Sequence, residues 1–254
     1  MTTSNDPHIH YTKDSGVFIL QIDRPEKKNA LTAGMYLALA EGVKAADSDS
    51  EVRVILLRGT ADCFTSGNDV NDFVSTPEHN TERPSVAFMK AIAHARKPLI
   101  AAVNGLAIGI GTTMLMHCDL VYAAKDSFLQ LPFTRLGLCP EAGSSFLTPS
   151  IMGHQRASEL LLLGDRFSAT KAAQYGLVNE ALEATEVFPY ALGKARELAA
   201  LPGEAVQTSK HLLKRNQSEA IDETIALELV NFSRLLQSPE AQAIMQAFLA
   251  RKKT

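Results

Sequence analysis

An α/β protein is the fold class the sequence predicts, on three observations. Four apolar or β-branched runs read as strands: VFILQI (17–22), VRVILLRG (52–59), KPLIAAVNG (97–105) and DLVYAA (119–124). Helical patterns at 32–47 and 85–95 fall between them, the alternation that a sheet with crossover connections produces. From about residue 150 onward the periodicity is helical only. The chain of 254 residues, 46% of them hydrophobic, is long enough to bury one full core with a helical appendage. A change of composition near residue 200 divides a core, 1–200, from a C-terminal helical region, 201–254.

Taken in order, VFILQI alternates and is broken by RPEKKNAL, so a strand leaves into a loop and then a helix capped near Thr32. VRVILLRG is more uniformly apolar and reads as a buried strand. In the third run Pro98 marks the strand's edge and Gly105 closes it. In the second half, HQRASELLLLG and SATKAAQYGLV carry helical apolar spacing and stop near Gly164 and Gly176. The last helix, SPEAQAIMQAFLARKK, opens with Ser238 as N-cap and Pro239 at its first position, and ends in cations that suit a helix C-terminus. The stretch 73–84, rich in Pro, Thr and charge, is expected to be a loop.

A net charge of −3 with mixed signs offers no basic face for nucleic acid and no polybasic stretch for a membrane surface. The polar start, MTTSNDPHIHY, has no apolar segment of a leader, and no later run is long enough to span a bilayer, so the expected location is the cytoplasm. Cys63, Cys118 and Cys139 are odd in number and widely spaced, which suits reduced thiols rather than a disulfide framework.

Two constellations invite chemistry and lose it on inspection. HCD (117–119) groups a nucleophile, a base and an acid, but adjacent residues point in different directions, so a helix end before a buried strand is the better reading. The other histidines repeat at no ligand spacing on one helical face, and no metal site is predicted. GLAIGIG (105–111) lacks the residues of either nucleotide loop. It does offer a glycine turn into a helix, where backbone N–H groups are unpaired and the helix dipole is positive. Directly after the strand VRVILLRG, FTSGNDV (64–70) offers a second such turn, leading to a helix start that Asn68 or Asp69 could cap. Each alone reads equally as a tight connection. As a pair, one donor from each could hold a carbonyl oxygen while negative charge develops on it.

RPEKKNAL, FTSGNDV, KPLIAAVNGLAIGIGTTMLMHCDLVYA and FTRLGLCPEAGSS match, in this order, the pattern of the crotonase (enoyl-CoA hydratase/isomerase) superfamily, which the chain resembles over nearly its whole length. Its wording is most similar to the peroxisomal type of Δ3,Δ2-enoyl-CoA isomerase. The resemblance implies a spiral of ββα turns, a C-terminal helical trimerisation region, an acyl-CoA thioester substrate and a homotrimer or dimer of trimers. Coenzyme A would arrive as part of the substrate, with no metal or redox cofactor. By the same resemblance the amides of Asn68 and Ile110 form an oxyanion hole. Ser66, Gly67, Asn68, Asp69 and Val70 would pack the CoA moiety under a loop carrying Lys28 and Ala30. Arg251, Lys252 and Lys253 would reach its phosphates or stand solvated.

Hydratases of this superfamily use two glutamates, and at the matching positions this chain has Thr113 and Phe133. Adding water needs a paired acid and base, whereas moving a double bond needs one group that takes a proton and returns it. The isomerase branch has its glutamate where this chain has Glu141, a lone carboxylate between Pro140 and a run of small residues. The expected activity is therefore conversion of 3-enoyl-CoA to trans-2-enoyl-CoA, as in fatty-acid β-oxidation, with Glu141 as the proton shuttle. A hydratase or other CoA lyase, and a silent acyl-CoA-binding module, are the rival readings. For Glu141 the rival role is a helix-end charge.

Overall fold

The computed structural model describes residues 3–71 and 83–251, apart from the side chains of Phe248 and Arg251. The strands are β1 Ile9–Asp14, β2 Val17–Ile22, β3 Val54–Arg58, β4 Cys63–Thr65, β5 Leu99–Val103, β6 Leu106–Ile108, β7 Leu120–Ala124, β8 Phe128–Gln130, β9 Arg166–Ser168 and β10 Glu180–Leu182. The helices are α1 Ala33–Ser48, α2 Pro84–Ala93, α3 Ile110–Thr113, α4 Ser144–Met152, α5 His154–Ser158, α6 Ala169–Gln174, α7 Val187–Ala199, α8 Gly203–Lys214, α9 Ser218–Leu236 and α10 Pro239–Arg251. Most of the stretch 73–84 and the residues Lys252 and Lys253 lie outside the described residues, as does any contact of the Arg251 side chain.

Two sheets share the strands. One has the order β1-β2-β3-β5-β7-β10 and the other β4-β6-β8-β9. Three strands of the large sheet are each followed by one of the small sheet, β3 by β4, β5 by β6 and β7 by β8. Helices α2 and α3 then return the chain, giving repeated ββα turns. Both sheets are parallel at their centres, with β1 and β9 antiparallel at the edges. Passing from one sheet to the next within two or three residues needs a sharp corner. Gly105 makes it between β5 and β6 at φ 65°, where a β-carbon would lie 1.8 Å from the carbonyl oxygen of Asp62.

The alternation of the large sheet's residues explains its two cores. Phe18, Leu20, Ile55, Leu57, Leu99 and Val121 face inward to the main core with Met35, Leu39 and Phe88 of the helices. Their neighbours Val17, Ile19, Val54, Leu56, Ile100 and Tyr122 face the other way, under Val187, Ala191 and Ala195 of α7. The C-terminal helices join the main core through Ile221, Ile225 and Phe232 of α9 and Ala241 and Met245 of α10. Leu229, Leu235 and Ile244 on the same stripes are partly covered.

The expected strands are present with trimmed ends: 54–58 within 52–59, 99–103 within 97–105 and 120–124 within 119–124. Caps fall where the sequence places them. Thr32 Oγ1 accepts from the Met35 amide at 3.3 Å and Ser238 Oγ from that of Ala241 at 3.2 Å. The expectation of helices only after residue 150 is wrong, because β9 and β10 lie in that stretch. Each has three residues, mostly exposed or half-buried, and takes its place from a preformed sheet edge rather than from its own pattern. FTSGNDV likewise does not follow β3 directly: a separate strand, β4, precedes its turn. His117 and Cys118 close a 3₁₀ turn before β7, and the Asp119 carboxylate accepts from the Leu99 amide at 2.7 Å. The HCD trio is thus the end of a helical segment beside a buried strand.

Candidate active site

The two glycine turns are adjacent because β4 and β6 are paired in parallel, Cys63 beside Leu106 and Thr65 beside Ala107. Their ends pack without space for side chains. A β-carbon on Gly67 would lie 2.7 Å from the Ile108 carbonyl oxygen, and one on Gly111 would lie 2.7 Å from Thr65 Cγ2. Asn68 follows the first turn and Ile110 begins α3 after the second. Among the described residues neither amide donates to an acceptor. The third strand, β8, ends in the segment that carries Glu141, so all three loops gather at the carboxyl ends of parallel strands, where ligands of such sheets bind.

The loop of Lys28 and Ala30 is sewn to the first turn. Ser66 N donates to Lys28 O at 3.0 Å, Leu31 N to Gly67 O at 2.8 Å and Asp69 N to Leu31 O at 2.9 Å. Arg24 donates from Nη1 to Ala30 O at 3.0 Å and pairs with Asp69 Oδ2 at 2.8 Å. Thus Lys28, Ala30, Ser66, Gly67, Asn68 and Asp69 come together, with Val70 half-buried beside them. Burial pushes the Asp69 carboxyl up, but the Arg24 guanidinium and the Asn71 amide hold it below its ordinary value. The Asp69 carboxylate is thereby engaged within the fold, capping Asn71 N at 3.1 Å. The knot under this loop is Asn29, fully buried, whose Nδ2 donates to Cys63 O at 2.7 Å.

Glu141 is 8% exposed, and its Oε1 has no hydrogen-bond partner among the described residues. Burial, with the charge of Glu228 added, pushes its carboxyl up from 4.5 to about 8. The cleft in front of it is lined by Arg83, Val86 and Met89 at α2 and by Ile225, Glu228 and Phe232 of α9. Leu131, Phe133 and Leu138 belong to the buried core. At the two hydratase positions Thr113 is fully buried with its hydroxyl donating to Ile110 O at 3.4 Å, and Phe133 is buried in the core.

Three neighbours were missed from the sequence. Tyr36 of α1 is buried, its hydroxyl donates to Asn68 Oδ1, and burial together with the nearby charge of Glu141 raises its pKa well above the ordinary value. Arg83 lies at the start of α2 on the cleft, and burial lowers its pKa. Glu228 sits on the stripe Ile221, Ile225, Phe232 of α9, and a charge on the buried face of an amphipathic helix is the signal that could have found it. Among the described residues no three His, Cys, Asp or Glu side chains gather as a metal site would require. No described helix is long and apolar enough to cross a membrane.

The enoyl-CoA hydratase/isomerase family model matches residues 12–254. The chain belongs to this family. Enoyl-CoA delta isomerase 2 of Rattus norvegicus is 32% identical over 250 residues, 96% of this chain and 64% of that protein, so the chain spans less than two thirds of that relative. The 2,3-dehydroadipyl-CoA hydratase of Escherichia coli (strain K12) is 31% identical over 245 residues, 95% of each chain. Among solved structures, OdaA of Pseudomonas aeruginosa is 45% identical and superposes with a TM-score of 0.94 over 96% of this chain and 99% of its own. The family and these neighbours agree with the α/β spiral and its helical C-terminal region. Members of the family thus carry both isomerase and hydratase names.

Proposed function

We propose that this protein is an acyl-CoA isomerase that moves the double bond of a 3-enoyl-CoA to the trans-2 position. The observation that carries the reading is Glu141, a buried carboxylate with a bare oxygen on a cleft, raised to about 8. When ionised, such a group is a stronger base than an ordinary carboxylate, and when protonated it keeps the proton long enough to return it.

In the proposed reaction the thioester oxygen accepts from the amides of Asn68 and Ile110. Glu141 removes a proton from C2, the electron pair moves into the carbonyl and the 3,4 double bond joins the conjugation, giving a dienolate. Electrons then flow back through the 2,3 position while protonated Glu141 delivers the same proton to C4. The enzyme ends with Glu141 ionised, and no cofactor enters the balance. The two amides stabilise charge that exists only in the intermediate and its flanking transition states, which is where binding accelerates a reaction. Coenzyme A would lie along Lys28, Ala30 and residues 66–70, and the assembly would be a trimer or a pair of trimers.

Hydration is the competing reading, supported by the name of the Escherichia coli relative and by the second carboxylate, Glu228, on the cleft. Activating water requires a free acceptor. Glu228 instead accepts from the amides of Gly143 and Ser145 and from the Ser145 hydroxyl, so most of its acceptor capacity is already taken by the fold. Purified protein given 3-enoyl-CoA is expected to generate the ultraviolet absorbance of the conjugated 2-enoyl thioester. Given 2-enoyl-CoA and water, it is expected to leave that absorbance unchanged. A fall in the second assay with no rise in the first would replace isomerisation by hydration, and binding without either change would leave an acyl-CoA-binding protein.

A further inference from the structure

Glu228 has no step in the proposed reaction, yet it is 6% exposed and reaches the cleft from the C-terminal helix α9. Its Oε2 accepts from the Gly143 amide at 2.7 Å, and its Oε1 from the Ser145 amide at 2.8 Å and the Ser145 hydroxyl at 2.6 Å. Those donors lie two and four residues beyond Glu141. Directly after Glu141 the backbone is left-handed twice, with φ 59° at Ala142 and 72° at Gly143. Ala142 carries a β-carbon and is strained in that conformation, so the turn persists only where its surroundings impose it. From the other side, His117 Nε2 lies 2.7 Å from Ala142 O. Burial pushes the His117 imidazolium down to about 4, so a neutral ring donates this bond.

We infer that Glu228 is a positioning residue for Glu141: the three hydrogen bonds it accepts hold the left-handed 142–143 turn in the shape that presents the Glu141 carboxylate to the cleft. This rests on Glu141 being the base. The plainer role for Glu228 is a remote cap on α4, whose first amides it satisfies. A cap acts on stability, whereas a positioning residue acts on turnover, because small displacements of a reacting group are felt mainly in the chemical step.

The test compares Glu228→Ala and Glu228→Gln with the parent and with Glu141→Gln, by kcat and KM for a 3-enoyl-CoA, affinity for coenzyme A and thermal midpoint. In Glu228→Ala, kcat is expected to fall about 10- to 100-fold while KM and coenzyme A affinity stay within about threefold. Glu228→Gln keeps an acceptor for one donor and is expected to recover part of kcat. It also withdraws a like charge, so the acid limb of the rate profile should move to lower pH. The other titratable groups facing this cleft and turn, Arg83 from α2, Tyr36 from α1, Cys139 and His117, are unchanged in that comparison. A folded Glu228→Ala with parental kcat, or a loss confined to KM or the thermal midpoint, overturns the inference. Should Glu228→Ala fail to fold, Glu228→Gln decides, with parental kcat and an unmoved profile counting against it. If Glu141→Gln itself keeps turnover, the base assignment falls. If it abolishes turnover while Glu228→Ala does not reduce kcat, only the positioning role falls.

Discussion

Glu141→Gln should make the protein more stable, and increasingly so as pH rises. The folded state holds the Glu141 proton up to about pH 8, whereas an unfolded chain releases it near 4.5. Between those values the native state binds one proton more than the unfolded state, so unfolding free energy declines with pH by about 1.4 kcal/mol per unit. The contribution is fully favourable below about 4.5 and lost as pH climbs through about 8. Over the whole window the loss has a ceiling of roughly 4 to 5 kcal/mol, a large fraction of a typical domain's stability.

Glutamine has the same shape and no titration, so this slope disappears. Near pH 5 protonated Glu141 and glutamine are both neutral and the two proteins should unfold alike. By pH 8.5 the variant should lead by several kcal/mol at most, on the same linkage. Glu228, also buried and raised, titrates in both proteins, so the difference between them reports Glu141 together with its coupling to Glu228. Thermal or urea unfolding at fixed protein concentration, at four pH values from 5.5 to 8.5, supplies the curves, with concentration held because an oligomer's midpoint depends on it. Parallel curves would refute the reasoning, since they would mean that Glu141 titrates alike in the folded and unfolded chains.

Ile110→Pro removes the proposed second oxyanion donor at the first position of a helix, where proline is tolerated, and should lower turnover by about 10²- to 10³-fold, while Ile110→Val, which keeps the N–H, stays close to the parent. Stopped assays on the two side by side check this, and equal rates would remove the Ile110 amide from the site. Tyr36→Phe releases Asn68 Oδ1 at a cost of about 1 kcal/mol and should reduce kcat more than KM, read in the same assay with a thermal midpoint. The dependence of kcat/KM on pH should rise toward a plateau above about 8 as Glu141 ionises, and a flat profile from 6 to 9 would contradict it. Leu162, Leu163, Leu227 and Val230 are each more than half exposed in the single chain, and light scattering should find three or six times 27.5 kDa rather than a stable monomer.

The four central strands of the large sheet, β2, β3, β5 and β7, were legible because they are almost wholly buried and therefore nearly continuous apolar runs, and α1 because Thr32 caps it. The small sheet was not, since β4, β6, β8 and β9 have three residues each and their pairing comes from the spiral, not from local pattern. The first strand, β1, also escaped: IHYTKD buries only Ile9 fully and lies at an edge. The glycine turns were readable as free-amide corners, but that they touch one another comes from the parallel pairing of β4 and β6. Glu141 was visible as a charge among small residues, and the role proposed for it came from the resemblance. Glu228 lies 87 residues further along the chain and Tyr36 105 residues before, separations over which no spacing rule acts.

The C-terminal helices also help to build the cleft. Ile225, Glu228 and Phe232 of α9 form one wall of the cleft, and the Glu228 carboxylate accepts from the amides of buried Gly143 and of Ser145 at the start of α4. A buried carboxylate is costly unless its oxygens are bonded, and Glu228 meets that condition with three donors while Glu141 does not. The two carboxylates of one cleft are thus divided by their surroundings. The satisfied one is suited to hold backbone in place, and the unsatisfied one keeps a lone pair for a carbon-bound proton. If Glu141 is the base as proposed, that division makes the fold's last third part of the chemistry's geometry.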